Sequence, residues 1–212
     1  MKPIIIAGTD TGIGKTLCSA LLMSVMHGTY LKPIQSGGKC DNDTDTVKKL
    51  SELDDKHFLK EKYILTEPLS PHLAAEIDNV EIVSKELVLP KNVEFEPLIV
   101  ELAGGLMVPV NRQMLMVDII KEWEGEVILC VRTTLGTINH ALLSIEALKN
   151  RNIDIAGIVF IGENNKDNRK TITMFSGVKE LGYIPKLDKI DRNVLIDTFW
   201  DNFDVKYFNN LL

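Results

Sequence analysis

A glycine-rich segment, GTDTGIGKT over Gly8–Thr16, lies between a short apolar run and a helical pattern and constrains the fold more than any other feature. The apolar run at 4–7 predicts a buried strand, and the pattern over Leu17–Met26 predicts a helix. In that order the backbone N–H groups of the loop and of the helix N-terminus point at one anion, which the helix dipole also favours. The segment therefore predicts a nucleotide phosphate loop, with Lys15 at the β- and γ-phosphates and the Thr16 hydroxyl on Mg²⁺.

The loop departs from the usual spacing at one position. The consensus G-x-x-x-x-G-K-[ST] places its first glycine where Thr9 stands, and the glycine of this chain is Gly8. The alternative is a glycine-rich strand-to-helix turn that binds nothing. The GKT triplet, the preceding strand and the following helix together favour the phosphate loop.

Short apolar runs rich in Val and Ile alternate with helical patterns along the chain. Such runs predict strands buried on both faces, as in a parallel sheet. The predicted strands are 3–7, 29–31, 98–100, 127–131 and 155–161, and the predicted helices are 16–26, 45–53, 116–123, 138–149 and 168–181. We therefore predict an α/β fold of the P-loop NTPase type: a doubly wound, mostly parallel sheet with helices on both faces, forming a single domain over residues 1–212.

Composition narrows the classes of function. The 24 basic and 30 acidic residues give a net charge of −6, and no long Lys/Arg cluster points to a nucleic-acid partner. No apolar stretch approaches the roughly 18 residues of a membrane span, and because the chain begins directly with a predicted strand we expect no signal peptide. The cysteines Cys18, Cys40 and Cys130 form no C-x-x-C pair, and we expect the first and last to be buried thiols. We expect a cytoplasmic protein with neither a membrane nor a nucleic-acid partner.

Three further features are predicted at the ligand edge of the sheet. Lys32 precedes a proline after a short strand, so that its ammonium either projects over the phosphate loop or is a surface cation. The acidic group Asp41, Asp43 and Asp45 either serves Mg²⁺ or is a solvated loop in which Asp43 or Thr44 caps the next helix. Glu101 ends a strand, where it is either a glutamate exposed to water or a group that faces the ligand, and the glycine pair that follows favours a close approach of ligand.

Several segments, taken in order, resemble the dethiobiotin synthetase family of biotin biosynthesis. They are the GTDTGIGKT loop with its early glycine, KPIQSG, SPH, ELAGG, LGTINHALLS and GYIP. The similarity runs from Met1 to about Leu187, and we expect the aromatic residues of the tail beyond it to pack on the core or on a partner subunit. The resemblance implies ATP-dependent ring-closing carboxylation of 7,8-diaminopelargonate with CO₂ to dethiobiotin, through a carbamate and a carbamic–phosphoric anhydride, in a Mg²⁺-dependent homodimer.

The resemblance also implies the roles of particular residues. Lys32 and Lys15 are the expected catalytic groups, and Thr16, Asp45 and Glu101 are the expected metal ligands, with Asp45 preferred to Asp43 because it opens the predicted helix. Nucleotide contacts are expected from Gly12, Ile13, Gly14, Lys15, Thr16, Leu17, Asp45, Glu101, Gly104, Gly162, Pro185, Lys186 and Leu187. Substrate contacts are expected from Ser36, Thr11, Gly105 and Asn139. The helix of Asn139 would bind the far carboxylate of the substrate, in the same subunit or in the other subunit of a dimer.

Two departures from the family pattern leave questions open. Gly12 stands where the family often has an acidic residue, and Gly162 stands where members often have an asparagine that reads the purine edge. The base preference is therefore open. Two rival functions also remain: a partner-regulated P-loop ATPase switch, and an amidating or carboxylating enzyme that uses another small acid. Switch proteins usually carry an extra lysine early in the loop, where Asp10 and Thr11 stand here.

Overall fold

The computed structural model describes residues 1–38 and 42–209, so Cys40 and Asp41 lie outside the described residues. The strands are β1 Ile4–Gly8, β2 Thr29–Leu31, β3 Ile34–Ser36, β4 Tyr63–Leu65, β5 Leu98–Glu101, β6 Glu126–Arg132, β7 Ile155–Gly162 and β8 Glu180–Pro185. The α-helices are α1 Lys15–Met26, α2 Asp43–Ser51, α3 Pro71–Ile77, α4 Met116–Trp123, α5 Thr137–Lys149, α6 Lys166–Ser176, α7 Arg192–Asn202 and α8 Val205–Asn209. None of the helices within these residues is long and apolar enough to cross a membrane.

The main sheet has the strand order β2-β5-β1-β6-β7-β8, and every neighbouring pair in it is parallel. β1 lies in the interior of the sheet, where Ile6 pairs with Glu101 of β5 and Gly8 pairs with Cys130 of β6. The loop that follows β1 therefore emerges between the carboxyl ends of β5 and β6. Open α/β sheets bind ligands at this edge. The prediction of a doubly wound parallel sheet is confirmed.

Side chains of the interior strands alternate between two apolar cores. Ile4 and Ile6 of β1 face one core with α1 and α7, whereas Ile5 and Ala7 face the other core with α4 and α5. The period-two alternation of a strand explains why a run that is apolar at every position is buried on both faces. Helices therefore cover both faces of the sheet, as predicted. Cys18 and Cys130 are buried thiols in the core that contains α1.

One predicted helix was too long, and the strand after it was missed. The helix predicted over 168–181 is α6, which ends at Ser176. Gly177 then adopts a φ of 66°, a left-handed conformation that glycine accepts readily and that ends helices. β8 begins three residues later at Glu180 and forms the edge of the main sheet.

The aromatic tail packs on the core that contains α1. Phe199 and Phe208 are fully buried, with ring centroids 5.3 Å apart, and Phe203 stacks on Phe199 at 5.2 Å. A Cβ at Gly182 would lie 2.4 Å from Phe203, so glycine on β8 is what allows the tail to pack this closely. The tail is therefore part of the folded unit, as the sequence led us to expect, with Trp200 left half exposed.

We predict that Phe199→Ala lowers the free energy of unfolding by about 3–5 kcal/mol, because it removes a fully buried ring from a packed cluster. Trp200→Ala is the comparison variant, and it should cost less because that side chain is half exposed, although its ring contacts Phe199 edge to face. Urea denaturation of both variants measures the difference. Equal costs would show that the tail does not pack on α1.

Candidate active site

The phosphate loop owes its shape to glycines at three positions. Gly12 and Gly14 have φ values of 63° and 100°, which favour glycine, and Gly14 is the N-cap residue of α1. Gly8 has a different role, since a Cβ there would lie 2.4 Å from the Ile13 side chain. The glycine at position 8 therefore leaves room for the Ile13 side chain.

Two cations donate to carbonyl groups of this loop. The Lys15 ammonium donates to the Asp10 carbonyl at 2.9 Å, and the Arg132 guanidinium donates to the Thr11 carbonyl at 2.6 Å. Burial, and next the positive charge of Lys32, lower the pKa of the Lys15 ammonium. Lys15 and Lys32 therefore lie close enough to influence each other, as a shared reaction centre requires.

Lys32 and Thr16 lie between two carboxylates. Lys32 Nζ is 2.6 Å from Asp43 Oδ2 and 3.0 Å from Glu101 Oε1. Thr16 Oγ1 is 2.9 Å from both Asp43 Oδ1 and Glu101 Oε1. Burial lowers the pKa of Lys32, but the charges of Glu101 and Asp43 outweigh it and the net pKa is raised, so that Lys32 remains an ammonium.

Glu101 has two further partners that the sequence did not single out. Its Oε2 atom accepts from the Ser19 hydroxyl at 2.8 Å and from the Tyr30 hydroxyl at 2.9 Å. Burial, and next the charge of Glu101, raise the pKa of Tyr30 well above its usual value, which keeps that hydroxyl protonated. The available signals were spacings: Tyr30 lies in β2 two residues before Lys32, which follows that strand, and Ser19 stands one helical turn after Thr16.

The structure brings Asp43, and not Asp45, to this cluster. α2 begins at Asp43 because the Asn42 side chain accepts from the Thr44 amide at 2.8 Å and caps the helix two residues earlier than the sequence pattern indicated. Asp45 lies in the first turn of α2, exposed to solvent. The predicted start of this helix was two residues too late. The contacts with Thr16 and Lys32 favour Asp43 over Asp45 as the carboxylate of the site.

A cavity of about 390 Å³ adjoins Lys32 and Asp43. Thr11, Ser36 and Gly104, all predicted at the site, line it together with Gln35 and the 68–71 segment. The Ser36 hydroxyl is buried and has no hydrogen-bond partner among the described residues. A buried polar group without a partner costs free energy, so this hydroxyl is suited to bind a ligand. Gly105 lies instead against the phosphate loop, where an added Cβ would be 3.4 Å from the Thr9 carbonyl oxygen.

Gly162 ends β7 beside Pro185, which ends β8, and Lys186 and Leu187 follow at the same edge. Gly162 has a φ of 124°, and a Cβ there would lie 2.9 Å from the Thr133 hydroxyl. An asparagine at this position would therefore be strained. The asparagines that follow are engaged elsewhere, because Asn164 accepts from Arg169 at 2.9 Å and Asn165 caps α6.

The start of α5 lies apart from the cavity in this chain. Its N-cap residue is Gly136, which offers no side-chain cap, and the Thr137 hydroxyl donates to the carbonyl of Arg132. Asn139 is exposed on the first turn and does not line the cavity that contains Lys32. The predicted contact of Asn139 with the substrate stays a prediction.

The fold and the phosphate loop define a P-loop nucleotide-hydrolysing protein. A family model described as an AAA domain matches residues 2–194. The fold is similar to that of a ParA family ATPase from Chlorobium tepidum, with a TM-score of 0.52 and 13% identity over 88% of this chain and 85% of that chain. At that identity the likeness concerns the fold alone.

Two curated relatives define the family more narrowly. An ATP-dependent dethiobiotin synthetase from Brucella anthropi is 46% identical over 98% of this chain and 97% of its own length. Another from Rhodopseudomonas palustris is also 46% identical over 98% of this chain and 97% of its own length. The chain belongs to the ATP-dependent dethiobiotin synthetase family, and the resemblance inferred from its motifs is confirmed.

We predict that Gly162→Asn destabilises the protein by about 2 kcal/mol or more, because its φ of 124° and the Thr133 hydroxyl both oppose a side chain. Gly177→Asn is the matched control and should cost within about 1 kcal/mol, since asparagine tolerates its φ of 66° and nothing lies within 4 Å. Chemical denaturation measures both. A smaller cost at Gly162 than at Gly177 would contradict this account of the β7 end.

Proposed function

We propose that the protein converts 7,8-diaminopelargonate, CO₂ and ATP into dethiobiotin, ADP and phosphate, as a Mg²⁺-dependent homodimer in the cytoplasm. The observation that carries the proposal is the position of Lys32. Its ammonium contacts both carboxylates beside the phosphate-loop Thr16 and also lines the adjoining cavity of about 390 Å³. One cation thus faces the nucleotide side and the substrate side together.

The oxygens near Thr16 fit a magnesium ion. Asp43 Oδ1 and Glu101 Oε1 each lie 2.9 Å from Thr16 Oγ1, and all three are the hard oxygen ligands that Mg²⁺ prefers. Mg²⁺ usually takes one or two carboxylates and keeps several waters, so Asp43 and Glu101 would suffice. When bound there, Mg²⁺ would neutralise charge on the β- and γ-phosphate oxygens.

The chemistry requires charge stabilisation rather than a nucleophilic side chain. One substrate amine takes up CO₂ and loses a proton to give a carbamate, whose oxygen accepts the γ-phosphoryl group as ADP leaves. The second amine then attacks the carbonyl carbon, closes the cyclic urea and expels phosphate. Each step develops negative charge on oxygen, and Lys15 and Lys32 are the cations placed to stabilise it.

The cavity supports a small polar substrate beside the phosphates. We propose that Ser36 and Thr11 bind the diamine, because both line the cavity and the Ser36 hydroxyl lacks a partner among the described residues. The nucleotide would lie along the loop over 12–17, with its base near the end of β7 and the Pro185–Leu187 segment. Gly162 carries no side chain for the base, so base selectivity would depend on other groups.

The proposed dimer would give Asn139, which does not line the cavity of its own chain, a role at the cavity of the other protomer. The N-terminus of α5 has no side-chain cap, and the dipole of the helix favours an anion such as a carboxylate there. Leu135 beside it is fully exposed. Leu69, which lines the cavity, is also exposed. We propose that α5 of one protomer approaches the cavity of the other and binds the far carboxylate of the substrate.

The rival functions predict different requirements for phosphate release. A partner-regulated switch would release phosphate in response to protein, DNA or lipid, and an enzyme for another small acid would need that acid. Family membership favours the synthetase over both. The fold shared with a ParA family ATPase does not favour the switch, because 13% identity concerns the fold alone.

The direct test supplies ¹³C-labelled bicarbonate, 7,8-diaminopelargonate, ATP and Mg²⁺ to the purified protein and follows products by mass spectrometry. We expect ¹³C in the urea carbonyl of dethiobiotin, with one phosphate released per ring closed. Phosphate release that does not depend on the diamine, without labelled product, would refute the proposal.

We predict that Lys32→Ala lowers kcat for ring closure by about 10²–10³-fold or more and leaves nucleotide affinity within about threefold, because the lost charge acts on the reacting groups. Lys62→Ala is the control, since that lysine pairs with Glu86 at the surface, away from the cavity. Product formation and nucleotide calorimetry measure the two effects. Wild-type turnover in Lys32→Ala would remove the assignment.

A further inference from the structure

The donors on Glu101 are divided between its two oxygens. Oε1 faces Thr16 at 2.9 Å and Lys32 at 3.0 Å, whereas Oε2 accepts from Ser19 at 2.8 Å and Tyr30 at 2.9 Å. We propose that Ser19 and Tyr30 are positioning residues that hold Oε2, so that Glu101 binds the metal through Oε1 alone. This inference rests on the proposed metal site.

The two pairs of donors differ in what else they can reach. Ser19 and Tyr30 are fully buried and do not line the cavity, so no ligand competes for their hydroxyl groups. Thr16 and Lys32 lie at the phosphate loop and at the cavity, where a bound metal and substrate would offer them other partners. The bonds to Oε2 therefore persist when the contacts of Oε1 are exchanged.

The hydroxyl groups also fix the direction of each hydrogen bond. An ionised carboxylate only accepts, so Ser19 and Tyr30 must both donate to Oε2. Two charge-assisted bonds to one oxygen satisfy its lone pairs and set the plane of the carboxylate. A bidentate arrangement of Glu101 on a metal ion would require breaking them.

The same local spacings build both halves of the arrangement. Tyr30 and Lys32 are two residues apart on an extended segment, and Tyr30 contacts Oε2 while Lys32 contacts Oε1. Ser19 and Thr16 are one turn apart on α1, and Ser19 contacts Oε2 while Thr16 contacts Oε1. α1 and the extended segment each supply one donor to Oε1 that a ligand could replace and one buried donor that stays on Oε2. Partners of this kind around a metal ligand are typically worth about 10–100-fold in metal affinity.

The test measures the gain in affinity for a non-hydrolysable ATP analogue when EDTA is replaced by Mg²⁺, by calorimetry, for wild type, Tyr30→Phe and Ser19→Ala. We expect each substitution to reduce this Mg²⁺-dependent gain by about tenfold or more and to leave affinity in EDTA unchanged. Tyr207→Phe is the matched control, because it removes a tyrosine hydroxyl that donates to a glutamate, Glu126, at 3.0 Å at the opposite end of the sheet. Its gain should equal that of wild type.

The outcomes distinguish a failure of the positioning role from a failure of the proposed metal site. A gain that is lost in Glu101→Gln but retained in both Tyr30→Phe and Ser19→Ala overturns the positioning role alone. An equal loss in Tyr207→Phe overturns it too, because the effect would then reflect general destabilisation. No gain in wild type, or none lost in Glu101→Gln, refutes the proposed metal site and this inference with it.

Discussion

The site depends on the hydrogen bonds and the ion pair that surround the buried carboxylate of Glu101. Only 1% of this residue is exposed, and a charge removed from water is costly unless donors surround it. Its four donors come from α1 and from the segment that contains β2, and Asp43 at the start of α2 shares two of them. Satisfying one charge therefore fixes α1, β2 and α2 relative to β5, and the same contacts assemble the groups that would act on a nucleotide.

Sheet topology explains why these groups meet although they are far apart in sequence. β5 pairs with β1 on one side and with β2 on the other, so Glu101 lies between the phosphate loop and the segment that leads to Lys32. Parallel strands end at a common edge, which places the donors and acceptors there without a dedicated loop. The cavity beside Lys32 then adjoins the phosphate loop through Thr11 and Gly104.

Local signals predicted much of this arrangement, and tertiary packing decided the rest. Neighbouring residues in the sequence were enough to predict the phosphate loop and the roles of Lys32 and Glu101. The alternation of apolar runs with helical patterns predicted the sheet. The choice between Asp43 and Asp45 depended on where α2 begins, which the Asn42 cap determines and apolar periodicity does not reveal. Ser19 and Tyr30 contact Glu101 from 82 and 71 residues away, so only the folded chain shows that they belong to the site.

The most direct test is a crystal structure of the protein with Mg²⁺, a non-hydrolysable ATP analogue and 7,8-diaminopelargonate. The account predicts the ammonium groups of Lys15 and Lys32 within about 3 Å of oxygens on the terminal phosphate or the adjoining substrate. It also predicts the metal about 2.1 Å from oxygens of Thr16, Asp43 and Glu101, with Ser19 and Tyr30 still bonded to Glu101 Oε2. A metal bound by Asp45, or a Lys32 turned away from the phosphates, would contradict the account.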